Sequence, residues 1–228
     1  MRTRLVVAAL TALMAFGMSA KLSALETRLI DYRIELHFGW PLSGKISERL
    51  RQLGDGSWQL ERDGLVFGFT ATEVSKFKIM GAKVQSMWYR KKQSGIPSSK
   101  MVEISFPSGN TELFDPITLA VKIGADLHMN PNLQTANYQF SEKQGKEKPI
   151  SFRFVHDIML DTDIGEIAAV RVEQVSESDD DAERTYWLSP DYDYIILRAI
   201  EREDGDIKTE INIRNGSVGG RPLKAANR

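Results

Sequence analysis

The chain has 228 residues, 30 Lys and Arg against 31 Asp and Glu, a net charge of −1 and 42% hydrophobic residues. That length and composition fit one sizeable globular domain, and the even spread of cations leaves no basic stripe for a nucleic acid. The absence of cysteine excludes disulfides, thiolate nucleophiles, cysteine zinc sites and a thioether-linked lipid anchor.

Residues 1–20 differ in kind from the rest. Arg2 and Arg4 precede an uncharged apolar run from Leu5 to Met18, and small residues follow at Ser19 and Ala20. The run is shorter than the roughly twenty residues that span a bilayer, so it reads as a cleaved signal peptide rather than a transmembrane anchor. Cleavage is expected after Ser19 or Ala20, with Ala24 as the alternative, leaving an exported, periplasmic chain with no transmembrane segment. The domain organisation expected is a signal peptide over 1–20, one β-rich domain over 21–214 and a flexible, Gly-rich, basic tail over 215–228.

Beyond the signal the dominant pattern is alternation with period two, the mark of half-buried strands. Ile30, Tyr32, Ile34, Leu36, Phe38 and Trp40 fall on one face of a long first strand, with Asp31, Arg33, Glu35 and His37 on the other. A hairpin follows, its strand through Ile46, Glu48 and Leu50, its turn over Leu53 to Gly56 and its return through Trp58 and Leu60. Leu65 to Lys92 is strand-like, with bends or turns at Gly68 and Gly81. Val102, Ile104 and Phe106 alternate inward before the turn at 107–110.

One segment breaks the pattern. Asp115 is placed to cap a helix and Pro116 to open it, and Ile117, Ala120, Val121 and Gly124 recur at helical spacing, which predicts a helix near 116–127 weakened or ended by Gly124. Two further strands, 150–160 and 165–175, are joined through Asp161 to Gly165. Glu183 to Leu188 and Ile195 to Glu203 are strand-like around the turn at 189–193, and Asp204–Gly205 turns the chain into Ile207 to Ile213, making a three-stranded meander. Nine or ten strands against one helix predict a mainly β fold: an antiparallel, strongly curved sheet or incomplete barrel whose one short helix covers an opening or an edge. A two-sheet β-sandwich is the alternative.

The stretch Thr185 to Gly205 resembles the closing motif of the exported bacterial proteins of domain of unknown function 3108, with its Trp-Leu, Pro-Asp turn, short strand and acidic Gly turn. Tyr32 to Gly44, Leu113 to Thr118 and Asp161 to Glu173 fit the same family in order, over about Tyr32 to Ile213. This chain departs from its relatives in carrying Ile195–Ile196 where many have a proline. The resemblance implies a periplasmic, β-rich protein; the family brings no established catalytic residues.

No catalytic or metal site is expected. His37, His128 and His156 lie far apart with no metal-type spacing, and Ser43 and Ser189 have no base nearby. No nucleotide or hydrolase motif is present, and no cofactor is expected. Asp191 and Asp193 read as turn residues bonding to nearby amides, in preference to a carboxylate acid–base pair. The acidic run Glu177 to Glu183 lacks the spacing and the glycine of a calcium loop.

The aromatic set Trp40, Trp58, Trp88, Tyr89 and Trp187 is the candidate ligand cavity, since a curled sheet brings several strands around one concave side; the competing reading places these rings in the core. The function expected is therefore a non-enzymatic binding or carrier protein of the cell envelope, sheltering an apolar small molecule or a partner segment. The alternative is an interaction or scaffold domain with a packed interior that binds another envelope protein through a sheet edge.

Overall fold

In the computed structural model, residues 25–37, 39–81, 83–95, 99–143, 146–175 and 182–225 are described. The expected signal peptide over 1–20 lies outside them, as does most of the acidic run.

Two antiparallel meanders make one sheet. The first comprises β1 (Arg28–His37), β2 (Pro41–Gln52), β3 (Trp58–Val66), β4 (Phe69–Met80), β5 (Lys83–Ser94) and β6 (Lys100–Ser105). After β7 (Leu113–Phe114) and the helix α1 (Pro116–Met129), the second runs through β8 (Thr135–Lys143), β9 (Lys146–Thr162), β10 (Gly165–Val175), β11 (Glu183–Ser189), β12 (Ile195–Glu203) and β13 (Asp206–Val218). The meanders join where β1 pairs antiparallel with β13, Ile34 opposite Ile211. The sheet order is β6-β5-β4-β3-β2-β1-β13-β12-β11-β10-β9-β8-β7, and β14 (Arg221–Pro222) adds to β13. Only the two-residue β7 runs parallel to its neighbour among the described strands.

The two ends of this sheet approach each other, β6 lying near β8 without pairing to it. The architecture is thus the open, strongly curved sheet that the alternation predicts, in place of the sandwich. Fourteen strands stand among the described residues where nine or ten are expected, because β7 and β14 are too short to show a period, Leu65 to Lys92 divides at both its glycines, and β8 follows the helix where no strand is marked by alternation.

α1 lies inside the curve, against β4, β5, β7 and β8. Its start is as predicted: the Asp115 carboxylate accepts from the Ile117 and Thr118 amides at 3.0 Å, satisfying two of the donors that a helix N-terminus leaves unpaired. Its end is two residues later than expected. Gly124 does not stop the helix but is buried within it, where a Cβ would come 3.2 Å from the Cβ of Tyr194. The glycine is there for close packing against the β11–β12 connection.

The main core joins this helix, through Ile117, Leu119 and Leu127, to Leu60, Phe77 and Tyr89 on one meander and Phe152 and Val172 on the other. A second core gathers Ile30, Ile167, Leu197, Ile213 and Val218 where the meanders join.

The tail beyond residue 214 departs from the flexible segment expected there. Asn215 to Val218 continue β13, and Leu223 is buried in the second core. Leu223 donates its amide to the Gly216 carbonyl at 3.0 Å and Arg221 pairs with Glu26 at 2.8 Å. A Gly-rich, basic composition resembles that of a disordered tail, but here two buried apolar residues, Val218 and Leu223, anchor it.

Candidate functional site: a divided groove on the concave face

Charged side chains cross the inside of the first meander. Register places Glu48 opposite Arg62, Arg62 opposite Glu73 and Glu73 opposite Lys91. Glu48 is fully buried, although it lies on a strand whose alternate positions Ile46 and Leu50 are apolar. Its two carboxylate oxygens each accept a 2.6 Å bond, one from Nε of Arg28 and one from Nε of Arg62. Burial alone would raise the Glu48 carboxyl; Arg28 and Arg62 outweigh it and hold the group below the usual glutamate value. Glu73 pairs with Lys91 at 2.8 Å and lies 3.4 Å from the Tyr89 hydroxyl. The Tyr32 hydroxyl, buried beside these ions, has no hydrogen-bond partner among the described residues. Burial and the Glu48 charge push it far above the usual tyrosine range.

The belt divides the concave space. On one side is the helix-filled core; on the other, a cavity of about 650 Å³ runs between β1, β2, β3, β4, β5, β12 and β13 and reaches Lys100 at the start of β6. Arg62, Tyr32 and Glu73 line its inner end, while Ile34, Leu36, Leu42, Val66, Phe69 and Ile211 carry it toward the β1–β2 and β3–β4 hairpins. A second space, about 480 Å³, continues past Glu73, Lys91 and Tyr89 to Leu119, Phe152 and Tyr186. A third, about 240 Å³, lies between α1 and the β11–β12 connection, bounded by Arg28, Arg62, Val121 and Asp193. Arg62 therefore borders two cavities. The two larger volumes lie in the range of small-molecule sites.

The hairpin end of the sheet also exposes apolar side chains. Trp40 (69% exposed), Phe67 (79%) and Met101 (67%) stand with the exposed Leu65 and Phe69 at this end of the sheet. Phe67 is held at φ +35° ahead of Gly68 at +82° in a two-residue turn, a backbone region that a non-glycine residue enters at a cost.

The five aromatic candidates are dispersed. Tyr89 points inward and lines the second cavity. Trp58 is buried in the main core and Trp187 packs on the second, beneath the Arg198 guanidinium at 5.4 Å. Trp88 faces outward, donating to Glu103 at 2.9 Å under Arg90. The first strand ends at His37, which leaves Trp40 in the following turn. None of these four tryptophans lines the cavities described above.

The charged belt was missed because charged positions in a half-buried strand are assigned to the solvent face. Its one signal is phase, since Glu48 alternates with Ile46 and Leu50, and Arg62 with Trp58 and Leu60.

The turn at Pro190 to Asp193 is a single 3-10 turn with Asp193 and Tyr194 both left-handed. Asp193 accepts from the distant Glu26 amide at 3.2 Å, and burial raises its carboxyl. Among the described residues no three His, Asp or Glu gather as a metal site.

These features define an open, helix-plugged β half-barrel with a groove divided by a charged belt. In fold it is similar to a β-barrel-like protein of domain of unknown function DUF1849 from Brucella abortus, with a TM-score of 0.54 at 7% identity, over 85% of this chain and 98% of that one. The Pseudomonas aeruginosa MucA/MucB complex is a more distant likeness, with a TM-score of 0.45 at 14% identity, over 90% of this chain and 56% of that one. No family model matches the chain, and no curated protein matches it.

Proposed function

We propose that this chain is an exported binding or carrier protein of the cell envelope, non-enzymatic, which shelters an apolar small molecule in its concave groove. The observation that carries the reading is the cavity of about 650 Å³, walled by Ile34, Leu36, Leu42, Val66 and Phe69, with Trp40 and Phe67 exposed in the hairpin turns at the same end of the sheet. Uncovered apolar surface of this kind marks a place where an apolar body enters. The signal-like segment 1–20 and the resemblance to the domain of unknown function 3108 proteins support export to the periplasm. No helix among the described residues is long and apolar enough to cross a membrane.

Native mass spectrometry of the protein purified from its own host, compared with a denatured and extracted sample, tests this. A co-purifying apolar mass is expected. A ligand-free mass, with nothing regained on exposure to host membranes, would sink the reading.

A second reading rests on the gap between β6 and β8. The outer edge of β6 has no strand partner among the described residues, and a space of about 400 Å³ lies along it between Glu103, Phe106, Leu113 and Ser141. A partner protein's strand would find unpaired backbone groups there. Cross-linking in the host envelope to one defined protein, with the groove empty, would favour this reading.

A further inference from the structure

We infer that the groove takes a single-chain amphiphile with a compact oxyanion headgroup, the anion seated between Arg62 and Tyr32 and the chain lying along the apolar wall toward the hairpin rim. The inference rests on the proposed sheltering of an apolar ligand and gives that ligand its chemistry.

Three observations meet at the inner end of the cavity. One carboxylate, Glu48, serves two guanidinium groups, Arg28 and Arg62, in direct ion pairs, while Asp193 acts on Arg28 and Glu73 on Arg62 from farther away. The other charges that line the cavity are mostly cancelled, Glu73 by Lys91 at 2.8 Å and Glu201 by Arg184 at 2.9 Å, while the exposed Lys100 adds a second cation near the rim. An anionic ligand would give Arg62, which shares Glu48 with Arg28, a direct partner on its cavity side.

The donors are also unspent. Arg62 uses Nε on Glu48, and neither of its Nη atoms donates a hydrogen bond among the described residues, although the side chain retains 20% of its exposure and borders the cavity. The Tyr32 hydroxyl, in a residue 3% exposed, is buried without a partner and belongs to the same wall. A planar guanidinium and a phenol side by side suit a carboxylate or phosphate oxygen pair.

The geometry sets the orientation. From Tyr32 the inward positions of β1 run through Ile34 to Leu36 at the hairpin end, about 13 Å at strand rise, with Leu42, Val66 and Phe69 alongside. This wall carries no charge. The headgroup is therefore innermost and the chain points to the hairpin end.

The test uses four probes of one chain length, each below its micelle concentration, titrated calorimetrically into the full mature chain: dodecanoate, dodecyl phosphate, dodecanol and dodecyltrimethylammonium. At least one of the two anions is expected to bind about tenfold or more tighter than dodecanol, with the cation weakest; hydrogen bonds to charged groups support a preference of that size. Preference for dodecanoate would point to free fatty acids as the source, and preference for dodecyl phosphate to phosphorylated lipids. Arg62→Gln is expected to bring the anions and dodecanol within about threefold of each other. Tyr32→Phe removes a hydroxyl with no partner, so it should fold as well as the parent while losing about tenfold for the preferred anion; it keeps the test decisive if Arg62→Gln is unstable. Equal binding of anions and dodecanol, or an anion preference unchanged in Tyr32→Phe and in folded Arg62→Gln, would overturn the headgroup assignment and leave the sheltering groove standing. Binding of none of the four would overturn both.

Discussion

Glu48 illustrates how a residue's partners decide its meaning. Its carboxylate lies fully inside the sheet, and its folded-state acidity is greater than that of an ordinary glutamate because Arg28 and Arg62 outweigh the effect of burial. A carboxyl whose pKa is depressed on folding contributes stability that is complete above the unfolded value, near 4.5, and is lost as pH falls through the lower folded value. Glu48→Gln leaves two buried cations without their counterion, and is expected to cost about 3–5 kcal/mol at neutral pH. Urea unfolding of the two proteins from pH 7 downward should show that gap narrowing below the ordinary glutamate value. Asp115 offers a contrasting case. Besides the two helix amides, its carboxylate accepts from the buried hydroxyls of Ser75, at 3.0 Å, and Thr118. Asp115→Ala strips the cap and leaves the Ser75 and Thr118 hydroxyls only their bond to each other at 2.9 Å, a loss of about 2–4 kcal/mol. Asp115→Asn keeps an acceptor for the cap, and is expected to lie within about 1 kcal/mol of the parent in the same assay.

At the scale of elements, the hairpins carry contradictory demands. The β3–β4 turn needs positive φ at both central positions, and Gly68 meets that freely while Phe67 does not. Phe67→Asn supplies the residue such turns prefer, and thermal unfolding should show a gain of about 0.5–1 kcal/mol. The strain in the parent keeps a large apolar side chain, 79% exposed, in the β3–β4 turn. The neighbouring strand is constrained by closeness instead. A Cβ at Gly44 would come 2.3 Å from the Leu65 carbonyl oxygen and 2.5 Å from a Val66 methyl. Because the nearest of these atoms belongs to the backbone of β3, Gly44→Ala must shift the strand, and a destabilisation of about 1–3 kcal/mol is expected by urea unfolding. The helix start, two of the hairpin turns of the first meander and the closing three-stranded meander were all legible, since each depends on residues close in sequence: Asp115–Pro116, Leu53 to Gly56, Gly68 and Asp204–Gly205. The length of α1 was not, because Gly124 has a helix-ending composition but a packing role set by Tyr194, seventy positions on.

For the whole molecule, the junction of β1 with β13 holds the two meanders in one sheet, and the C-terminal segment buttresses it. β14 pairs with β13, Leu223 is buried in the second core, and the Lys224 amide donates to the Tyr192 hydroxyl at 3.1 Å. Truncation after Val218 is expected to cost about 1.5–3 kcal/mol through loss of the Leu223 side chain from that core, measured as a lowered urea midpoint. Sequence by itself determined the class of fold, because period-two alternation and turn residues are local properties of the backbone, and one buried face per strand leaves a curved antiparallel sheet as a natural solution. It also marked the lone helix and the aromatic residues as large apolar groups. Only the tertiary structure decided which strands face one another, that the tail belongs to the sheet, that Trp40, Trp58, Trp88, Tyr89 and Trp187 occupy separate places, and that Arg28, Glu48, Arg62, Glu73 and Lys91 meet within the curve. Those are pairings between residues far apart in the chain, and alternation tells which face a side chain takes without telling what stands opposite.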